Sequence, residues 1–251
     1  MAPSGLAILI GAGPTTGAGI ARILASQGNM AVALLARRPG PLDEVKQSLQ
    51  SQLPSGVFEA FPTDTSPDSL KKTFADIKAH KSFEGLKLNT AIYSIKHSSK
   101  KPFLSETYED FTESLDSYVG GAFTFAQESL KRFFADHGED SLADGAPKKG
   151  TLIFTGTLGA LRCSAEFAAY GAGRASVRQL AQTLAREMSA KGVHVVHTIA
   201  NGSIRDENGE DQKTGKKMSA EAVGKTYLWL SQQEPALWTH ELDMRPAQEK
   251  F

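Results

Sequence analysis

Residues 6–20 read LAILIGAGPTTGAGI and join a short apolar run to a glycine-rich turn. Leu6–Ile10 is typical of a buried strand, and Gly19–Gln27 has the apolar spacing of a helix. Glycines in such a turn let a diphosphate approach the backbone, and the helix start supplies N–H groups and a positive dipole. The order strand, loop, helix predicts dinucleotide binding. The alternative is a flexible connection whose glycines are accidental.

The second strand indicates which dinucleotide is bound. Met30–Ala36 is apolar and runs directly into Arg37 and Arg38, with no carboxylate before Asp43. A carboxylate at this point would accept hydrogen bonds from the ribose of NAD, whereas the 2′-phosphate of NADP requires a cation. Arginine offers a permanently charged, forked donor. We therefore predict NADP(H); the alternative is a pair of solvated surface arginines.

Strands and helices alternate along the rest of the chain. Further strands are predicted at Val57–Phe61, Leu88–Tyr93, Thr151–Thr155 and Val193–Ile199, and further helices at Asp68–Ala79, Tyr108–Phe134 and Phe167–Lys191. This alternation predicts a single-domain α/β Rossmann fold over residues 1–251, with a doubly wound parallel sheet of about seven strands and helices on both faces. The polar segment 136–149 is expected to be a surface loop, and 203–217 a lid over the site.

Composition narrows the class of protein. The 251 residues carry 28 basic and 28 acidic side chains, so we expect no nucleic-acid partner. Cys163 is the only cysteine, which excludes an internal disulfide and fits a reducing compartment. No apolar run is long enough to cross a membrane, and no secretory signal is evident, so we expect a cytoplasmic protein. His194 and His197 lie three apart on a strand and face opposite ways, and no metal site is expected.

Three further matches identify a family. Gly13, Gly17 and Gly19 fit the pattern G-x-x-x-G-x-G, and Asp64 follows the third strand. Tyr170 begins a Tyr-x-x-x-Arg segment and lies 13 residues after Thr157. With these features the chain resembles the short-chain dehydrogenase/reductase family over nearly its whole length. In that family an aspartate contacts adenine, and a Ser…Tyr-x-x-x-Lys signature carries the chemistry.

The resemblance implies a catalytic set of Tyr170, Thr157 and Arg174. Carbonyl reduction needs a proton for the developing alkoxide, which a tyrosine donates when a nearby cation stabilises the phenolate left behind. A threonine hydroxyl at the serine position orients the carbonyl oxygen. Tyr170 and Arg174 are four apart on a helix and share one face. Two alternatives stay open: Tyr170 is a packing aromatic, or Thr155 takes the place of Thr157.

The glycine loop, the arginine pair and the resemblance together give the candidate cofactor contacts. These are Gly11, Gly13, Thr15, Thr16, Gly17, Gly19, Ile20, Arg37, Arg38, Asp64, Thr65, Tyr93, Ser94, Tyr170, Arg174, Gly202 and Ile204.

The sequence also departs from the family pattern. Arg174 stands where the family has lysine, and arginine does not release a proton at working pH. Ile92-Tyr93-Ser94-Ile95 replaces Asn-Asn-Ala-Gly, and Ser117 and Tyr118 occupy the region of a family asparagine. Asn201-Gly202 replaces Pro-Gly. Together these changes indicate a specialised or non-reducing member.

The leading functional prediction is an NADPH-dependent oxidoreductase that reduces a carbonyl, or an activated double bond, of a small organic substrate. Two alternatives share the fold: an enzyme of cyclisation, elimination or isomerisation, and a catalytically silent NADP(H)-binding protein. The family resemblance further implies a homodimer or homotetramer, assembled through the helices Tyr108–Phe134 and Phe167–Lys191.

Overall fold

A computed structural model describes residues 2–96 and 99–250. The strands are β1 (Gly5–Ile10), β2 (Met30–Ala36), β3 (Phe58–Pro62), β4 (Leu88–Tyr93), β5 (Gly150–Gly156), β6 (Val193–Ala200), β7 (Ile204–Arg205), β8 (Met218–Ser219) and β9 (Glu241–Met244). Seven of them form one parallel sheet in the order β3-β2-β1-β4-β5-β6-β9, while β7 and β8 pair separately. The predicted parallel α/β sheet is confirmed.

Helices cover both faces of this sheet. They are α1 (Thr16–Ser26), α2 (Pro39–Gln52), α3 (Pro67–Ala79), α4 (Tyr108–Leu115), α5 (Gly121–His137), α6 (Ala168–Met188), α7 (Glu210–Lys213) and α8 (Ala220–Gln232). Apolar side chains of α1, α2 and α8 build the core on one face, and those of α3, α5 and α6 build it on the other. The architecture is therefore doubly wound, with two cores separated by the sheet.

No helix in the described part of the chain is both long and apolar enough to cross a membrane.

The strand predictions agree closely with the structure. Met30–Ala36 and Leu88–Tyr93 have the predicted bounds, and the other predicted strands differ by one residue at one or both ends. Buried parallel strands are continuous apolar runs, which explains why they are easy to delimit. Helix α1 begins at Thr16, three residues before the predicted Gly19.

The long helix predicted over Tyr108–Phe134 is interrupted. Helix α4 ends at Leu115, and residues Asp116–Gly120 form a π-helical segment that leads into α5. Such segments insert a bulge into an α-helix and are frequent at functional sites. The apolar pattern alone does not reveal the bulge.

Helices α2 and α8 and strand β9 are three of the elements that the sequence patterns did not predict. Helix α2 buries only a narrow stripe, Leu42, Val45 and Leu49, and begins at a proline, which is well tolerated at a first helical position. Helix α8 packs closely on α1, and β9 is a four-residue edge strand paired to β6. Each is stabilised mainly by tertiary contacts.

The segment 136–149 is only partly the predicted surface loop. Helix α5 extends to His137, and at the other end the ammonium of Lys148 donates to the carbonyls of Ser231 and Gln233, both at 2.8 Å. Lys149 is 2% exposed. Both ends are therefore packed, because the lysines neutralise backbone carbonyls that would otherwise be left unpaired.

The sheet order places a switch in winding direction between β1 and β4. The chain proceeds from β1 towards β2 and β3, and from β4 towards β5 and β6. The crossovers on the two sides of this switch leave a crevice at the carboxyl ends of β1 and β4. In open parallel sheets this is where ligands bind.

Candidate active site

Two adjoining cavities open along this crevice, each of about 690 Å³. The first cavity is bounded by the glycine loop, the end of β5, the start of α6 and residues 200–205. The second cavity is bounded by Arg37, residues 64–67 and the start of α5. Ile95 and Lys96 line both, so the two form one continuous groove.

The glycine loop forms the floor of the first cavity. Gly11 has φ +92°, and a Cβ there would lie 2.1 Å from the carbonyl oxygen of Ser94. Only glycine permits this close approach between the residues that follow β1 and β4. Gly13, Thr15, Thr16 and Gly17 line the cavity beside it.

The start of α1 suits an anion. No side chain caps this helix, and its first turn contains no acidic residue. The N–H of Ala18 donates to the carbonyl of Gly13, which leaves those of Thr16 and Gly17, together with the helix dipole, available to a phosphate. This feature fits a dinucleotide diphosphate lying across the loop.

The second cavity brings together Arg37, Asp64 and Thr65. Hydrogen bonds from Ser66, whose backbone N and Oγ lie 2.9 and 2.7 Å from Oδ1 of Asp64, hold the pKa of this carboxyl below its usual value, and the nearby Arg37 adds to the effect. Lys71 on α3 lines the same cavity and was not predicted. This end of the groove thus offers a fixed carboxylate with two cations beside it.

The predicted catalytic pair is in contact. The hydroxyls of Thr157 and Tyr170 lie 2.5 Å apart at the wall of the first cavity. Thr155 bonds instead to the hydroxyl of Tyr227 at 2.8 Å. The threonine next to the tyrosine is therefore Thr157, which resolves the register that the sequence left open.

Arg174 lies beside this pair but is directed elsewhere. It is 3% exposed, and its guanidinium donates to the hydroxyl of Tyr118 and to the carbonyl of Ile95 at 3.3 Å. The guanidinium carbon lies 4.0 Å from the ring centroid of Tyr118 and 4.9 Å from that of Tyr170. The cation is thus held between two phenol rings, an arrangement that suits arginine because its planar head stacks on aromatic faces.

The π-helical segment presents Tyr118 to this cation. The hydroxyl of Tyr93 donates to the carbonyl of Tyr118 at 2.9 Å, with the carbonyl of Ser117 3.3 Å away. Burial raises the pKa of Tyr93, so its hydroxyl stays protonated and remains a donor. A side chain that bonds inside a helical ladder is a known cause of such irregularity.

This geometry corrects the prediction for Tyr93. Its side chain is fully buried in the core and lines neither cavity. Tyr93 is the last residue of β4, and its side chain faces the layer of α5 and not the crevice. It supports the π-helical segment and is not a cofactor contact.

Three other candidates also lie outside the groove. A Cβ on Gly19 would lie 2.5 Å from that of Ala220, so this glycine allows α1 and α8 to pack closely. Ile20 is fully buried in the core. Arg38 is exposed just before α2 and lines neither cavity. The remaining candidates line one of the two cavities, with Ser94, Gly202 and Ile204 in the first.

Several lining residues were not singled out as contacts from sequence: Ile95, Lys96, Phe167, Asn201, Ser203 and Arg205. Most of them directly follow β4 or β6. The rule that parallel strands present their carboxyl ends to one edge would have identified these, because the strands themselves were predicted.

Comparison with known proteins agrees with this geometry. The family model described as short chain dehydrogenase matches residues 5–216. An uncharacterized oxidoreductase of Staphylococcus epidermidis is 22% identical over 244 residues, 96% of each chain. A short-chain dehydrogenase from Rhodopseudomonas palustris is similar in structure, with 25% identity and a TM-score of 0.78 over 97% of this chain and 99% of that one.

A second solved structure shares the fold at lower identity. L-Sorbose reductase from Gluconobacter frateurii, complexed with NADPH and L-sorbose, has 16% identity and a TM-score of 0.79, over 98% of this chain and 97% of that one.

Proposed function

The chain belongs to the short chain dehydrogenase family of oxidoreductases, and from this premise we propose that it reduces a carbonyl, or an activated double bond, of a small organic substrate with NADPH. The observation that carries the proposal is the contact of Thr157 with Tyr170. This pair lies at the wall of the first cavity, whose floor is the glycine loop. The relatives complexed with NADPH or NADP support the choice of cofactor.

The groove fits this cofactor along its length. The uncapped start of α1 and the glycine loop would hold the diphosphate, and Arg37 with Lys71 would hold the 2′-phosphate. Gly202 and Ile204 would face the nicotinamide end. When bound, NADPH supplies the hydride.

In this proposal Tyr170 is the general acid. Its hydroxyl gives a proton to the substrate oxygen, and Thr157 orients that oxygen and stabilises the charge developing on it. Arg174 stabilises the phenolate left on Tyr170 through the face of its ring. Because a guanidinium does not release a proton at working pH, Tyr170 regains its proton from solvent in the cavity.

The first experiment titrates the purified protein with NADPH and with NADH, following protein fluorescence and thermal stability, and then follows NADPH consumption with a panel of carbonyl compounds. The proposal predicts tighter binding of NADPH and substrate-dependent consumption. Failure to bind either cofactor contradicts it. Binding without consumption by any substrate contradicts the reductase assignment.

Substitutions of the adjacent arginines Arg37 and Arg38 test the proposed preference for NADPH over NADH. Arg37→Ala removes a cation of the second cavity and is expected to raise KM for NADPH about tenfold, leaving KM for NADH nearly unchanged. Arg38→Ala is the matched control, since Arg38 lines neither cavity. An equal effect of both substitutions, or none from Arg37→Ala, contradicts the assignment of the 2′-phosphate site.

We further propose that residues 1–251 act as one domain in which the segment 203–217 is a lid. Ser203, Ile204 and Arg205 line the first cavity, and Asp206 forms an ion pair with Arg22 of α1 at 2.5 Å. This ion pair would hold the lid against the body of the protein. Limited proteolysis with and without NADPH tests the proposal, with protection of 203–217 on binding as the expected result.

The proposed assembly is a homodimer or homotetramer in the cytoplasm. Tyr108 at the start of α4 is 77% exposed, and burial of such a residue favours association. Light scattering coupled to size-exclusion chromatography tests it; a monomer at all concentrations contradicts it.

A further inference from the structure

The wall of the first cavity has an unbalanced charge. Among the described residues that line it are four cations, Lys96, Arg162, Arg174 and Arg205, and no aspartate or glutamate. The whole chain is formally neutral, so this imbalance is local. Arg174 is buried against Tyr118 and does not account for the excess at the cavity mouth.

Arg162 lies in the segment that joins the two catalytic residues. It follows Thr157 by five residues and precedes Tyr170 by eight. A Cβ on Gly159 would lie 2.5 Å from Cε1 of Tyr170 and 3.3 Å from Sγ of Cys163, so this segment packs against the ring of Tyr170. Arg162 lines the same cavity as Tyr170.

The acidic residue of this segment is already paired. Glu166 forms an ion pair with Lys100 at 3.3 Å, and its carbonyl accepts the backbone N–H of Lys101. Within the described part of the chain, the guanidinium of Arg162 has neither a hydrogen bond nor an ion pair. The segment thus presents an uncompensated cation to the cavity.

The lid segment contributes a second such cation. Asp206 pairs with Arg22 of α1, outside the cavity, while the adjacent Arg205 lines the cavity and its guanidinium has no hydrogen bond or ion pair in 2–96 or 99–250. Four other arginines each pair with a carboxylate: Arg22, Arg132, Arg178 and Arg245. Among the described residues Arg37 and Arg38 also form no ion pair, but neither lines the first cavity, where Arg162 and Arg205 are the two arginines without a side-chain partner.

We propose that the substrate of this enzyme carries an anionic group, a carboxylate or a phosphate, which Arg162 and Arg205 bind at the mouth of the first cavity. A guanidinium matches either group with two parallel hydrogen bonds. The carbonyl to be reduced then lies at Tyr170, with the anionic group directed towards the opening. The inference rests on the proposed function, because it names the substrate class of the same site.

The kinetic test uses pairs of aldehydes of which one member carries an anionic group and the other is neutral. The pairs are 4-carboxybenzaldehyde with its methyl ester, and glyceraldehyde 3-phosphate with glyceraldehyde, which separate the carboxylate from the phosphate. The wild type is expected to prefer the charged member of at least one pair. Arg162→Gln is expected to raise KM for that member about tenfold, leaving the neutral member and the affinity for NADPH unchanged.

Arg205→Gln is expected to have the same selectivity, and Arg186→Gln is the matched control. Arg186 is an exposed arginine of α6 whose guanidinium bonds to the carbonyl of Gln182 and lies outside both cavities. If the substitutions at 162 and 205 weaken NADPH binding and leave the charge preference intact, the two cations serve the cofactor and the inference is wrong. Equal KM values for charged and neutral members in the wild type also overturn it.

A binding measurement separates this inference from the proposed function. Calorimetric titration of 4-(hydroxymethyl)benzoate and of its methyl ester into the protein with NADP⁺ needs no turnover. Binding of the acid that is at least tenfold tighter than that of the ester, and that is lost in Arg162→Gln, supports the anion site even if no aldehyde is reduced. Equal binding of acid and ester overturns the anion site even if both aldehydes are reduced.

Discussion

Two phenols flank the guanidinium of Arg174, and they differ in what their hydroxyls reach. Tyr118 is 3% exposed, and its hydroxyl accepts a hydrogen bond from Arg174. Tyr170 is half-buried, lines the first cavity and bonds to Thr157. The same side chain beside the same cation therefore fixes the guanidinium on one side and lines the cavity on the other, where we propose that it donates a proton.

Burial distinguishes the two phenols, and the accessible one is the proposed proton donor. Burial raises the pKa of Tyr118, and its side chain lines neither cavity, so its hydroxyl serves to fix the guanidinium. Because the hydrogen bonds of Arg174 to Tyr118 and Ile95 determine its orientation, the cation meets Tyr170 through the ring face. A cation at a ring face is weaker and less directional than a charged hydrogen bond.

The largest effect on kcat is expected from substitution of the accessible phenol, Tyr170. Tyr170→Phe removes the proposed proton donor and should lower kcat for carbonyl reduction about 100-fold or more, with the affinity for NADPH retained. The readouts are NADPH consumption and a cofactor titration. Tyr108→Phe is the control, since Tyr108 is 77% exposed and lies outside the groove. Near-normal turnover by the Tyr170 variant would contradict the assignment of Tyr170 as the proton donor.

The second largest effect on kcat is expected from substitution of the cation, Arg174. Arg174→Lys keeps a positive charge, but a compact ammonium does not stack between two rings or donate as a planar fork. We expect kcat to fall about tenfold and the protein to lose stability, because Tyr118 and Ile95 lose their donor. Kinetics and urea unfolding measure both. A gain in reductase rate would mean that arginine impairs an otherwise ordinary site.

The buried phenol should have a smaller effect on rate and a clear one on stability. Tyr118→Phe leaves a buried donor of Arg174 without its acceptor, which costs about 1–3 kcal/mol of unfolding free energy. We expect kcat to fall about three- to tenfold, with KM for NADPH little changed. If Tyr118→Phe lowers kcat as much as Tyr170→Phe does, the buried phenol takes part in the chemistry and the distinction drawn from burial is wrong.

The smallest effect is expected one step further from the reacting atoms. Tyr93→Phe removes the hydroxyl that bonds to the carbonyl of Tyr118 in the π-helical segment. The unfolding free energy should fall by about 1 kcal/mol, and kcat by less than in Tyr118→Phe. Urea unfolding and steady-state kinetics provide the comparison. A larger loss of kcat than in Tyr118→Phe would contradict the proposed order of support, Tyr93 to Tyr118 to Arg174.

The sequence predicts well the residues around the accessible phenol, Tyr170. Tyr170, Thr157 and Arg174 were placed together by spacing and family resemblance, and in the structure Thr157 and Arg174 each lie against Tyr170. The buried strands were delimited almost to the residue, because a continuous apolar run depends on the local sequence alone. Local pattern is sufficient for these features.

The arrangement around the buried phenol, Tyr118, depends on contacts between distant parts of the chain. The hydroxyl of Tyr93 reaches a carbonyl 25 residues later, and Tyr118 reaches an arginine 56 residues beyond it. No periodicity encodes such pairings. The sequence patterns therefore assign Tyr93 to the cofactor and do not reveal the π-helical segment between α4 and α5. The same reason applies to β9, an edge strand defined by its pairing with β6.

The most direct test of the proposed function follows the hydride. The protein is incubated with NADPH deuterated at nicotinamide C4 and with 4-carboxybenzaldehyde, and the product is examined by mass spectrometry. The proposed function predicts one deuterium on the carbinol carbon with wild-type protein and almost none with Tyr170→Phe. NADPH that binds tightly but transfers no deuterium to this aldehyde or to any other carbonyl compound tested would contradict it.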